Sequence, residues 1–303
     1  MKTKIIVIKV GGAVMSDPAG ILFLYQYVKE MLFEAKCPVI LIVSAMGKTT
    51  QSLNSILESG NVETEINSIT EFTMNLASKI LKPLHMSGGF DSFEKNFRGH
   101  MMEVSELAKK ELTITTLSAV LSKGELIAQN FIGNLFTFRL WKENTGVSTK
   151  YLGLDRTIVL DTFTPYIVNF SDICINTEKT RVNFKSFSKV LNAQGMKPSL
   201  YIAPGFLGIT VGGKISIMGK DSSDVSLAVT ACELGASKAI FLKKTDFTSN
   251  VLPYSVFEKD AERAIEKGGS PLIHPIAIQL LRMDKIPTSI FNYLNKRTIE
   301  IVY

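Results

Sequence analysis

The stretch Lys4-Ile5-Ile6-Val7-Ile8-Lys9-Val10-Gly11-Gly12 does most to limit what this chain can fold into. Five of the seven residues from Lys4 to Val10 are apolar, and most are β-branched. A continuous run of this kind reads as a strand buried inside a parallel sheet. Lys9 interrupts the run just where it ends, and a buried ammonium is costly unless an anion meets it. Gly11 and Gly12 follow, so the backbone can approach a ligand with no Cβ in the way. Strand, lysine, paired glycines and then a helix make a phosphate cradle, to which the helix N-terminus adds its dipole. The same residues also suit an ordinary strand with a snorkelling lysine and a glycine turn. The segment alone does not choose between the two.

Asp17-Pro18 is a cap-and-proline helix start, followed by the periodic segment Ile21 to Ala35. Pro38 to Val43 is a second continuous apolar run, so the first forty residues or so predict a βαβ unit with a right-handed crossover. Ser44 to Thr50 then falls at the carboxyl end of the second strand, where ligands of open α/β sheets bind. Gly47-Lys48-Thr49 matches the end of a Walker-type phosphate loop, but the upstream glycine that loop needs is Ile42, and the reading is rejected.

Residues from about Thr50 to Lys123 read as helical, with Ser87-Gly88-Gly89 as a loop within them. They form either a helical excursion over the sheet or part of a subunit interface. Ser122 to Leu126 precedes an amphipathic stretch reaching about Lys142, which puts Glu125 near a helix N-terminus. Taken alone it is simply a first-turn acid. Gly146 to Asp161 and Ile173 to Val182 have the character of short strands, and Phe184 to Ala193 of a helix. Ser199 to Ala203 is a strand ending in Pro204, Gly205 and Gly208, which repeats the logic of residues 4 to 12. Ile209 to Ile217 predicts a hairpin around Gly212-Gly213. Asp224 stands at or just inside the start of a helix running from Val225 to Leu234, either as a cap or pointing into a site. Ala239 to Leu242 is a strand that ends in Lys243-Lys244-Thr245-Asp246. Helix Phe257 to Glu266, strand Ile286 to Asn292 and a β-like tail Thr298 to Tyr303 follow.

At 303 residues the chain suits one large α/β domain or two lobes sharing a sheet. With 46% hydrophobic and 20% charged residues, disorder is excluded. The net charge of +6 raises the question of nucleic acid. However, 34 basic residues face 28 acidic ones without a long like-charge run, which fits a lysine-rich surface that favours anionic small molecules. No nucleic-acid partner is expected. Cys37, Cys174 and Cys232 read as buried free thiols in a reducing compartment. His85 and His100 have no partner at metal or triad spacing and are assigned surface or packing roles. No signal peptide precedes the first strand, and no apolar run reaches the roughly 18 residues of a membrane helix. The expectation is a cytoplasmic protein with no membrane partner.

In this order the pieces resemble the catalytic domain of aspartate kinases, in the amino acid kinase superfamily. IKVGG (8–12), VSAMGKTT (43–50), SKGEL (122–126), PGFLGIT (204–210), MGKDSSD (218–224) and LIHP (272–275) carry the resemblance across nearly the whole chain. It implies a three-layer αβα sandwich with a mainly parallel sheet and two lobes. Residues 1–195 would hold the amino-acid substrate and 196–303 the nucleotide, with no C-terminal regulatory (ACT) domains. The implied reaction is ATP-dependent phosphorylation of the aspartate β-carboxylate, with Mg2+ and without direct metal ligands from the protein. The resemblance gives Lys9 the transferring phosphoryl oxygens, and Asp224 the ordering of that centre, including its lysine or Mg2+. Gly11 and Gly12 would donate backbone N–H bonds. Ser44 and Ala45 would line the substrate pocket, Glu125 would take the amino group, and Lys220 the substrate carboxylate. Gly205, Gly208, Lys244, Thr245 and Asp246 would serve the nucleotide. A homodimer is also implied.

Several positions depart from the family pattern. Ala13 and Val14 replace a Thr-Ser pair, and Lys220 replaces an arginine, losing the planar two-pronged fit to a carboxylate. Asp221 and Ser222 replace two glycines, Asp246 lacks its following glycine, and Pro271 stands where a lysine is usual. Loss of one phosphoryl-stabilising donor lowers a rate by on the order of 10² to 10³. These departures leave open a relative acting on another carboxylate, carbamate or phosphate acceptor, or a non-catalytic nucleotide-binding homologue.

Overall fold

β1 (Ile6–Val10) is buried along its length, in the middle of an eight-stranded sheet. Its unbroken apolar run requires that place, because both faces must be covered. The computed structural model describes residues 4–84, 87–166, 173–195, 197–245, 249–266 and 270–302. The Asp17 carboxylate accepts from the Gly20 N–H and starts α1 (Pro18–Ala35), which leads to β2 (Val39–Val43), parallel to β1. The other strands of this sheet are β3 (Ser148–Tyr151), β5 (Ser199–Pro204), β8 (Lys238–Lys243), β9 (Val251–Pro253), β10 (Thr288–Asn292) and β11 (Arg297–Val302). Their order is β3-β5-β2-β1-β8-β10-β11-β9, and among the described residues every pairing is parallel except the β10–β11 hairpin. A smaller sheet holds β4 (Val159–Leu160), β6 (Leu207–Thr210) and β7 (Ile215–Ile217), and β6–β7 is the hairpin predicted around Gly212-Gly213.

Two cores follow from the alternation of β1. Ile6, Ile8 and Val10 face α1 and α5 (Ile114–Lys142). Above α5 lie α2 (Thr49–Ser59), α3 (Val62–Ile80) and α4 (Ser87–Ala108), so the long helical segment is an extra cover on this face. Ile5 and Val7 face the opposite way, toward α6 (Thr177–Ala193), α7 (Ser223–Leu234), α8 (Tyr254–Glu266) and α9 (Pro275–Met283). The architecture is the three-layer αβα sandwich expected. Lys9 continues the Ile5–Val7 row and so points toward the α7 side.

Several sequence expectations need correction. Ser87-Gly88-Gly89 is no loop but the first turn of α4, whose packing on α5 outweighs the poor helix propensity of glycine. Thr177 to Val182 belongs to α6, capped by Asn176, and is not a strand. Helix α9 was not foreseen, because its short apolar run offers no long period. Glu125 is not in a first turn: α5 is capped by Thr113, whose hydroxyl accepts from the Thr116 N–H, and Glu125 lies well inside it. Ser122 and Gly124 imitate a helix start, but burial on almost every side sustains the helix through them. Among the cysteines, Cys37 is buried as expected, whereas Cys232 is half-buried and Cys174 exposed. His85 lies outside the described residues. No helix among the described residues is long and apolar enough to cross a membrane.

Candidate active site

β1 lies between β2, which the chain reaches through α1, and β8, which it reaches only much later. Such a reversal of strand order opens a crevice at the carboxyl ends of the strands. A cavity of about 250 Å³ occupies it, lined among others by Lys9, Ser44, Glu125, Lys220, Asp224 and Lys243.

Three charged side chains meet on the α7 side. Lys9 leaves the end of β1, and Lys243 leaves the end of β8 in the same row as Phe241. Asp224 stands in the first turn of α7, where the helix dipole favours a carboxylate. Lys9 Nζ lies 2.9 Å from Asp224 Oδ1, and Lys243 Nζ lies 2.6 Å from Oδ2. The backbone N–H of His274 also donates to Oδ2, and Lys243 donates to the Leu272 carbonyl. Burial alone would raise the Asp224 carboxyl, but the neighbouring Lys243 and Lys9 ammonium groups hold it well below the usual carboxylate range. Burial lowers the Lys243 ammonium to about 8 against the pull of Asp224. One carboxylate between two ammonium groups leaves this buried cluster one positive charge in excess. An anion is the natural complement.

Glu125 lies across the cavity, and its burial depends on two close approaches. A Cβ on Gly12 would fall 2.3 Å from the Ala45 carbonyl oxygen, and one on Gly124 would fall 2.9 Å from the Ala45 Cβ. Only glycines let the β1 loop, the β2 loop and α5 converge on Ala45. Glu125 Oε1 accepts the Ala45 N–H at 3.2 Å. Glu125 Oε2 and Ser44 Oγ are buried with no hydrogen-bond partner among the described residues. Burial pushes the Glu125 carboxyl up to about 8, opposed by the Ala45 N–H and, more weakly, by Lys9. Two orphaned polar oxygens beside a cavity call for a polar ligand.

The model of the amino acid kinase family matches residues 4–292. The chain belongs to the amino acid kinase family. In fold it is similar to E. coli aspartokinase III in complex with aspartate and ADP, with a TM-score of 0.74 and 16% identity over 95% of this chain and 61% of that one. Clostridium acetobutylicum aspartate kinase gives a TM-score of 0.69 at 15% identity, over 98% of this chain and 62% of that one. Giardia carbamate kinase gives 0.52 at 13% identity, over 100% and 99%. The chain thus spans less than two thirds of the length of these aspartokinases. At such identities the likeness is one of fold. No curated protein sequence matches the chain.

Within this family fold the residues singled out from sequence fall into two groups. Lys9, Gly12, Ser44, Ala45, Glu125, Lys220 and Asp224 all line the cavity. Gly11 gives its N–H to the Leu242 carbonyl, so that donor is already used inside the sheet. Gly205 likewise donates to Val43 and packs on Ser223, while Gly208 belongs to β6 against Ile158, and neither lines the cavity. Lys244 points to the opposite face from Lys243: its Nζ lies 3.6 Å from Asp17 and 5.3 Å from the centre of the Tyr293 ring. Thr245 is tied by backbone to the buried Asn292 side chain, which fixes the end of β8. Asp246 lies outside the described residues. Asp221 adopts a φ of 64°, a left-handed conformation that aspartate tolerates, which explains how it stands where a glycine is usual. Sequence reading missed Lys243 as well as Tyr166 and Phe206 in the lining. Period-two alternation from Phe241 was the available signal for Lys243.

A magnesium ion has little from this protein to bind. Among the described residues no three His, Cys, Asp or Glu side chains cluster as ligands, and both oxygens of Asp224 are taken by lysines. The residues do not fit a protein-held metal.

Proposed function

We propose that the protein transfers the γ-phosphoryl group of ATP to the β-carboxylate of aspartate, releasing ADP and an acyl phosphate. The observation that carries this reading is the Lys9–Asp224–Lys243 cluster, one positive charge in excess, facing a buried glutamate across a single small cavity. In this reading residues 1–195 hold the acceptor, joined by Lys220, and 196–303 the nucleotide, joined by Lys9. A carboxylate oxygen of the acceptor attacks the γ-phosphorus, the bond to the bridging oxygen breaks, and ADP leaves with the electron pair. The nucleophile is already ionised, so no general base is required, which suits an Asp224 kept deprotonated by its two lysine partners. Positioning and neutralisation of spread negative charge are then the main tasks. Lys9 meets the phosphoryl oxygens, Glu125 Oε2 and Ser44 Oγ receive the acceptor's ammonium group, and Lys220 faces its α-carboxylate.

ADP release with Mg-ATP and L-aspartate, run beside a panel of carboxylate, carbamate and phosphate acceptors, tests the reading. Hydroxylamine in the assay should trap a hydroxamate. Turnover confined to a different acceptor would transfer the reading to that substrate, a possibility favoured by Lys220 and Asp221 at the cavity. ATP binding without turnover on any acceptor would end it.

Glu125 supplies a pH test. Held at about 8, it carries a proton at pH 7, and it must lose that proton to pair with an ammonium group. Aspartate binding at pH 7 should therefore release close to one proton, read by calorimetry in two buffers of different ionisation enthalpy. Affinity should rise with pH up to about 8 and then level off. Glu125→Gln should abolish the release and raise the aspartate KM by roughly 10- to 100-fold.

A further inference from the structure

We propose that Lys243 is a second phosphoryl-binding lysine, acting beside Lys9 from the end of another strand and supplying the charge absent at Pro271. The proposal rests on the phosphoryl-transfer reading and adds a catalytic residue to it. Lys243 is 12% exposed and lines the cavity together with Lys9 and Pro271. An ammonium group has three N–H donors, and Lys243 commits two of them, to Asp224 Oδ2 and to the Leu272 carbonyl. The third is left for whatever occupies the cavity.

The charge balance points the same way. Asp224 already has Lys9 at 2.9 Å, so a second buried lysine on the same carboxylate adds desolvation that the pair itself does not offset. A terminal phosphate between Lys9 and Lys243 offsets it. The Leu272 carbonyl belongs to the residue after Pro271, so Lys243 stands directly over the segment from which a lysine is missing. β8 brings it there because Lys243 and Phe241 share a strand face, whereas Lys244 turns toward Asp17. A purely structural alternative is that Lys243 only ties the 271–274 segment to α7.

Two neutral variants separate these roles. Lys243→Met removes charge and hydrogen bonds together, while Lys243→Gln keeps a donor for Leu272 or Asp224 without the charge. Calorimetric titration with AMP-PNP and with ADP, beside kcat on the best acceptor, provides the readout. Both variants should bind AMP-PNP at least tenfold more weakly while ADP affinity stays within about threefold, and kcat should fall by on the order of 10² to 10³. Lys243→Met combined with Pro271→Lys should recover at least tenfold of the lost rate, because the new lysine starts beside the same carbonyl. If Lys243→Gln behaves like the native protein, or if both nucleotides weaken equally and the double variant recovers nothing, the assignment is overturned. Native turnover with an unaffected Lys243→Gln sinks this proposal alone. Selective loss of AMP-PNP binding in a protein that turns over no acceptor sinks the transfer reading and leaves Lys243 as a phosphate ligand. Absence of nucleotide binding in the native protein overturns both.

Discussion

Asp224→Asn should destabilise the protein by about 3–5 kcal/mol and abolish turnover. The amide is nearly isosteric and can still accept the His274 N–H, so packing changes little. What changes is charge: Lys9 and Lys243, each within 3 Å of the carboxylate in the native protein at 2.9 and 2.6 Å, are left side by side with no counterion. Urea unfolding at pH 7 measures the loss. The deficit should shrink at pH 9, because the Lys243 ammonium, already lowered to about 8 by burial, loses its proton there. Inorganic phosphate should also restore part of the stability by standing in for the missing charge. A change below about 1 kcal/mol, the range of exposed ion pairs, would mean that water screens the cluster.

Lys9→Met should give the opposite combination. Turnover should fall by on the order of 10² to 10³ through loss of one donor to the transferring phosphoryl group, with the acceptor KM within about threefold. Stability should hold or rise, because one lysine on one carboxylate is a balanced pair where two are not. A residue that serves the reaction at the expense of stability has this signature. Steady-state kinetics and urea unfolding on the same preparation provide the check. A stability loss as large as that of Asp224→Asn, with turnover intact, would make Lys9 a structural partner of Asp224 and nothing more.

Much of the framework was legible in the residues. The unbroken β-branched run of β1 required a central strand, Asp17-Pro18 announced α1, and the PVILIV run from Pro38 announced β2. Lys9 and Asp224, more than two hundred residues apart in the chain, were chosen as partners, and their side chains are in contact. Glu125 was chosen with the wrong local structure, because buried helices tolerate serine and glycine that an isolated helix would not. Lys243 was missed for a different reason. Motif spacing favoured its neighbour Lys244, and although alternation from Phe241 tells the two lysines apart, it is the sheet order that places Lys243 beside β1 and Lys244 toward Asp17. Gly11, Gly205 and Gly208 followed motif spacing, but their backbone groups serve the sheets rather than the cavity. Strand alternation is a local signal, whereas the convergence of four strand ends depends on topology that no local segment encodes.

A crystal structure with AMP-PNP and L-aspartate bound bears most directly on whether Lys9, Asp224 and Lys243 assemble around a transferring phosphate. A terminal phosphate oxygen should lie within about 3 Å of Lys9 Nζ, in hydrogen-bonding geometry, with the aspartate ammonium against Glu125 Oε2. A nucleotide seated away from this cavity, with both lysines still closed on Asp224 and no amino acid beside Ser44, would contradict it.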